Sequence, residues 1–207
     1  MTTLLHPATY ADVNDVAEVM AHAFRNDPPM SAVLGPSDDL PARAHHLFSY
    51  FMHAGPLQHG TVDVVRDVGS GKILGAAIWH APHSGHSTFQ DILNAQHIVK
   101  AFGIRGIRRA LAASRATQRH HPTAPHWYLQ AIGVTPQARG RGIASQLIKH
   151  RLGQADAAGM PAYLESSTEA TSVLYRRHGF IELPPMRGYP GPAPRPMWRP
   201  VPENPTA

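Results

Sequence analysis

Gln137-Ala138-Arg139-Gly140-Arg141-Gly142-Ile143-Ala144 is the stretch on which the reading of this chain turns. It joins two segments of different period. Upstream, His126 to Val134 alternates as a strand, with Trp127, Leu129 and Ala131 expected on one side and Tyr128, Gln130 and Ile132 on the other. Downstream, Ile143, Leu147, Ile148, Leu152 and Ala155 recur at helical spacing, and Gly159 with Pro161 closes the helix. Glycines between a strand and a helix let the backbone turn tightly and come close to a ligand. The helix start then offers amide N–H groups and roughly half a positive charge. With the Arg139 and Arg141 side chains at the same mouth, the loop is suited to phosphates.

Two phosphate-binding loops of other kinds can be compared with it. A Walker loop is excluded, because no Gly-Lys-Ser/Thr follows the glycines. A dinucleotide site needs G-x-G-x-x-G, and here the third position is Ser145. Glu165 nevertheless lies 25 residues beyond Gly140, near the distance of a ribose-binding acid, so spacing alone leaves a Rossmann-like oxidoreductase open. Against it, a hairpin precedes the loop and no repeated βαβ units do.

The composition narrows the classes further. The chain has 207 residues, 43% of them apolar, which is the size of one domain with a full core. Lack of cysteine excludes disulfides, thiolate zinc sites and a cysteine nucleophile. No apolar run approaches the roughly 18 residues of a membrane span, and residues 1–10 lack a signal-peptide pattern, so a cytoplasmic protein without a membrane partner is expected. The net charge of +5 is a sum of unlike parts. Residues 92–155 hold ten Lys or Arg and no acid, whereas residues 1–91 hold nine acids and four Lys or Arg. An anionic partner belongs with the basic stretch. Nucleic acid is one candidate for it, although no nucleic-acid-binding motif is recognisable, and the expectation is that none is bound. Among the 15 histidines, His80, His83 and His86 invite a metal reading, but Pro82 and Gly85 interrupt the spacing. They read as loop histidines, and no metal is expected. The pairs His45–His46 and His120–His121 read as surface residues near helix ends.

Elsewhere, Leu4 to Thr9 reads as a strand and Thr9 or Asp12 as the cap of a helix running to Phe24. Asn26 to Pro29 is a breaker, and a second helix runs from about Pro41 to Met52. Thr61 to Asp67 and Ile73 to His80 form a hairpin about Gly69 to Gly71. Thr88 to Arg119 is mostly helical with a break near Gly103 and Gly106. Ala162 to Ser166 is a strand, Glu169 to His178 a helix, and Phe180 to Leu183 opens another strand. One domain over 1–207 is expected, with a Pro-rich tail at 184–207 that contains a candidate last strand at Met197 to Arg199.

The run Q-A-R-G-R-G resembles the Q/R-x-x-G-x-G/A signature of the GNAT superfamily of acetyl-CoA-dependent N-acetyltransferases. Tyr163-Leu164-Glu165-Ser166-Ser167 and Leu174-Tyr175-Arg176-Arg177-His178-Gly179-Phe180 are similar to that family's fifth strand and helix end. In layout the stretch from Pro125 to Phe180 most resembles puromycin N-acetyltransferase and its actinobacterial relatives. The resemblance implies an α/β fold: a mixed, mostly antiparallel central sheet flanked by helices, with a splayed strand pair holding the cofactor. It implies that backbone amides of Arg139, Gly140, Arg141, Gly142, Ile143 and Ala144 hold the pyrophosphate of acetyl-CoA. Ile132, Gly133 and Val134 would offer strand-edge amides to the pantetheine. Tyr175 corresponds to the general acid that protonates the departing thiolate. Glu165 is the first candidate for the base, with His80 and His126 behind it, and a structural ion pair with an arginine is its alternative role. Many members place Asn seven residues before that tyrosine, where this chain has Thr168. A small-molecule amine is the expected acceptor, its pocket drawn from Phe24 to Met30, the region of Tyr50 and Phe51, the end of the strand at Trp79 and His80, and residues 88–120. Monomer and homodimer both fit.

Overall fold

The structure is a computed structural model that describes residues 2–36, 39–82 and 88–202, leaving aside the side chains of 88–95 and 104–105. His83 and His86 lie outside the described residues. Among the described residues seven strands form one sheet: β1 (Thr3–Pro7), β2 (Val62–Asp67), β3 (Ile73–His80), β4 (Trp127–Val134), β5 (Ala162–Ser166), β6 (Ile181–Glu182) and β7 (Arg195–Arg199). Their order is β1-β2-β3-β4-β5-β7-β6, and every pair is antiparallel except β4–β5. The expected mixed, mostly antiparallel sheet flanked by helices is what forms. The candidate last strand is longer than expected and lies inside the sheet, between β5 and β6.

Among the described residues six helices flank the sheet: α1 (Val13–Ala23), α2 (Pro28–Leu34), α3 (Leu40–His53), α4 (Thr88–His120), α5 (Ile143–Ala157) and α6 (Glu169–Arg176). Asp12 and Thr9 set the start of α1 through a short 3-10 turn, the Asp12 carboxylate accepting from the Thr9 amide and hydroxyl at 2.8 and 2.9 Å. Helix α2 was hidden in the sequence by its breaker residues. Asp27 caps it by accepting from the Met30 amide at 2.8 Å, and Pro28 fills the first helical position, where a missing N–H does no harm. Helix α4 is two helices joined at Gly103, whose φ of 58° no helix accommodates, so the expected break falls there.

Two cores form, one on each side of the sheet. Val16 and Met20 of α1, Phe48 and Met52 of α3 and Ala101 of α4 pack with Val64, Ala76 and Ile78. Ile143, Leu147, Ile148 and Leu152 of α5 and Tyr175 of α6 pack with Val65, Ala77, Trp79, Leu164 and Met197. Each such large side chain stabilises the fold by about 1.5–3 kcal/mol when fully buried. Gly133 is bare because α1 presses against it: a β-carbon there would come within 2.9 Å of Ala23 and Met20.

One expectation about β4 fails. Leu129 belongs to the α5 core and Ala131 to the α1 core, so the two do not share a face. The register explains it: Trp79 pairs with Leu129 and Ile78 with Ala131, leaving Gln130 as an extra residue in a β-bulge. The extra residue inverts the alternation, and Ile132 and Val134 turn to the α5 side.

Helix α5 is pinned from beneath. Arg151, one of the ten cations of the basic stretch 92–155, is buried and donates to Asp63 of β2 through Nε at 3.0 Å and Nη2 at 2.6 Å. Its guanidinium also lies over the Trp127 ring, 5.2 Å from the centroid. It is a structural cation, not a phosphate ligand.

Candidate active site

The β4–α5–β5 unit determines where the site lies. A strand, a crossover helix and a parallel strand bring the start of α5 to the carboxyl end of β4, where α/β folds form their crevices. Pairing between β4 and β5 covers Trp127–Ala162, Tyr128–Tyr163 and Leu129–Leu164 and then stops, although β4 continues to pair with β3 as far as Val134. The bulge at Gln130 marks the point of divergence. Beyond it β4 and β5 splay, and β4 carries an open edge. The Thr135 amide bonds across to Leu74 at 2.8 Å, so alternation turns the Gly133 amide toward β3 and those of Ile132 and Val134 toward the gap.

The loop closes one end of that gap. Gly140 and Gly142 both have φ of 76°, a left-handed conformation that a side chain disfavours. A β-carbon on either would meet no protein atom within 4 Å, so the space over the loop is open. Helix α5 begins at Ile143, and the amides of its first turn have no partner within the helix. Arg139 and Arg141 are exposed beside them. Open space, inward amides and positive charge fit a pyrophosphate.

A cavity of about 1330 Å³ runs from this gap across the sheet. Ile132, Gly133, Val134, Arg139, Ala144, Tyr175 and Glu165 all border it, so the loop, the open edge and both candidate catalytic groups share one space. Its far side is formed by Phe24, Met30, Tyr50, Phe51, His80 and residues of α4, much as expected. Trp79 is the exception: it is fully buried in the α5 core. Phe48 is core, while Phe51 reaches the cavity.

Tyr175 is 7% exposed, with its ring edge-on to Phe180 at 6.0 Å. Burial first, and the Asp27 charge second, push its phenol above the usual range, so it stays protonated. Glu165 has no arginine partner among the described residues. Its Oε2 accepts from the Tyr128 hydroxyl at 2.6 Å, and His121 faces its Oε1. Burial and the Glu165 charge push the phenols of both Tyr128 and Tyr163 up. His80 lies beside Gln130 with Nε2 2.8 Å from its Oε1, and its ring stacks on Tyr128. Thr168 is committed to capping α6, its hydroxyl accepting from the Thr171 amide at 3.2 Å.

Three further polar groups border the cavity, and of these only Asp27 lies in a stretch, Phe24 to Met30, expected to form the pocket. Asp27 caps α2 at the cavity wall, and burial pushes its carboxyl up against hydrogen bonds from Ser167 and the Met30 amide. Tyr189, from the Pro-rich tail, donates to the Pro29 carbonyl at 3.4 Å and feels the charges of both Asp27 and Glu165. His121, expected at the surface, lines the cavity instead. Only long-range folding brings these to Tyr175.

Residues 103–182 match the acetyltransferase (GNAT) domain family. A solved structure from Corynebacterium glutamicum, described as histone acetyltransferase HPA2 and related acetyltransferase, is 31% identical and matches 100% of both chains with a TM-score of 0.74. An uncharacterised N-acetyltransferase of Schizosaccharomyces pombe is 22% identical over 181 residues, which is 82% of this chain and 71% of that protein. The PaiA N-acetyltransferase of Thermoplasma acidophilum, solved in complex with coenzyme A, has the same fold at a TM-score of 0.61 and 9% identity, over 96% of this chain and 99% of that one.

Proposed function

Since the chain belongs to the GNAT family and is an acetyl-CoA-dependent N-acetyltransferase, we propose that it acetylates a small primary amine by direct attack. In this reading Glu165 takes the amine's proton and Tyr175 protonates the departing thiolate. The observation that carries it is the single cavity, which places the splayed edge, the phosphate loop, a protonated phenol and a buried carboxylate around one space. The amides of Arg139 through Ala144 would hold the pyrophosphate, with Arg139 and Arg141 adding charge. Ile132 and Val134 would receive the pantetheine as an added strand meets a sheet edge, and Gly133 would keep that edge tight against α1. This leads the thioester toward the bulge, in the cavity that Tyr175 also lines.

The acceptor arrives from the other side. Phe24, Tyr50, Phe51 and Tyr189 give it apolar and aromatic walls, and the Asp27 and Glu165 carboxylates attract an ammonium group. Glu165 then removes the proton that blocks attack. The departing thiolate, whose thiol has a pKa of about 8.5, leaves more readily when protonated as it departs, and Tyr175 is the donor at hand. No helix among the described residues is long and apolar enough to cross a membrane.

Thiol release from acetyl-CoA, measured against a panel of primary amines, tests the reading. Saturable release with apolar or aromatic amines is expected. Release that no amine stimulates, including aryl amines, polyamines and amino acids, would refute a small-molecule acceptor.

A further inference from the structure

Only 9% of the Glu165 side chain is exposed, so a proton it takes from an amine has little direct contact with solvent through which to leave. Oε2 is occupied by the Tyr128 hydroxyl, and that phenol holds its own proton too firmly to carry another away. Oε1 is buried with no hydrogen bond of ordinary length. His121 faces it, with Nδ1 3.9 Å away.

The hydrogens on the His121 ring are set from its other side. The Ala124 carbonyl can only accept, so His126 Nδ1, 2.6 Å from it, carries a hydrogen. Burial holds His126 below the usual imidazole range and keeps it neutral, which leaves a lone pair on its Nε2. That lone pair is 3.1 Å from His121 Nε2, which therefore donates. A neutral His121 then turns a lone pair at Nδ1 toward Glu165 Oε1. The side chain of His121 is also 32% exposed, so the ring joins a buried carboxylate to water.

We propose that His121 is the proton exit of Glu165. After attack, the O–H bond at Oε1 breaks and an N–H bond forms at Nδ1, giving a carboxylate beside an imidazolium. The imidazolium releases its Nδ1 proton to solvent and returns to the neutral form, so nothing else is gained or lost. The 3.9 Å separation exceeds a hydrogen bond by about 1 Å, which a small rotation of the ring or one bridging water spans. His126 holds the tautomer, and the Tyr128 and Tyr163 rings, edge-on to His121 at 4.9 Å, hold its plane. The inference rests on Glu165 being the base.

The test uses the full chain with acetyl-CoA and an active amine, in weak buffer, comparing His121→Ala, His121→Gln and Glu165→Gln. His121→Ala is expected to lower kcat at least about tenfold. Added imidazole should restore it progressively, without changing the KM for acetyl-CoA. His121→Gln should be equally slow and equally rescued, which keeps the test valid if the alanine variant is unstable. Glu165→Gln should be slow and not rescued. Full turnover in both His121 variants, or a loss that imidazole does not restore, overturns the relay while a slow Glu165→Gln leaves the base intact. Glu165→Gln at full turnover overturns the base, and the relay falls with it.

Discussion

Tyr175→Phe removes one oxygen and keeps the ring. That ring is 7% exposed and packs edge-on against Phe180, contacts that phenylalanine reproduces. The melting temperature should therefore move by no more than about 2 °C, because no cavity and no unpaired group is created. Coenzyme A affinity should stay within about twofold, under 1 kcal/mol, since the loop and the β4 edge are untouched. Turnover is different. General acid catalysis contributes about 10²–10⁴-fold. Burial and the Asp27 charge make this phenol a reluctant donor, which favours the lower end. The expected loss in kcat is about 10²-fold, or about 2.7 kcal/mol of barrier. Single-turnover thiol release at saturating acetyl-CoA and amine reads it directly, with isothermal titration of coenzyme A as the control. The raised phenol also predicts no loss of rate from Tyr175 ionisation below about pH 10. An unchanged rate would refute the role, and so would a coenzyme A affinity that falls in step with the rate.

Asp27→Asn keeps the cap of α2, since Asn caps as well as Asp, and removes only the charge. It should raise the amine KM about tenfold by steady-state assay, with little change in melting temperature. Arg151→Ala leaves Asp63 buried with, among the described residues, only His150 beside it, 3.9 Å away, and should cost about 3 kcal/mol, lowering the melting temperature by about 10 °C in calorimetry. A cluster on α3 and α4 predicts acid sensitivity. Burial holds His46, His53 and His97 below their usual 6.5; at His46 and His97, Lys100 and neighbouring imidazoles push the same way, and Asp39 opposes at His46. Tyr10 stacks on His53. The folded chain keeps these rings neutral, while the unfolded chain takes up protons below about pH 6.5. Stability is therefore full above that pH and declines as pH falls through the lowered values, and His97→Gln should flatten the decline in melting temperature between pH 7 and 5.

What could be read in the sequence was local. The strand, the loop and the start of α5 lie within twenty residues of one another, so period and glycine placement identify them. The role of Tyr175 came only from the family resemblance of Leu174 to Phe180. The bulge at Gln130 could not be read, because an inserted residue shows only against its partner strand, and it put Leu129 and Ala131 on opposite faces. Helix α2 was masked because Asp27, Pro28 and Pro29 read as a breaker, although the same residues make a good helix start. His121 and Tyr189 reach the cavity from two distant segments, and polar residues outside regular elements carry no mark of where the chain will fold them, whereas Asp27 lies in the expected Phe24 to Met30 wall. Arg151 belongs to the basic stretch that suggested an anionic ligand, but its partner is Asp63, 88 positions away.

The central claim is that acetyl passes directly between two molecules held together in one cavity. Initial-velocity kinetics with acetyl-CoA and amine both varied tests it most directly. Intersecting double-reciprocal lines, with no radiolabelled acetyl left on protein incubated with acetyl-CoA alone, are predicted. Parallel lines with a stable acetylated protein would contradict the account.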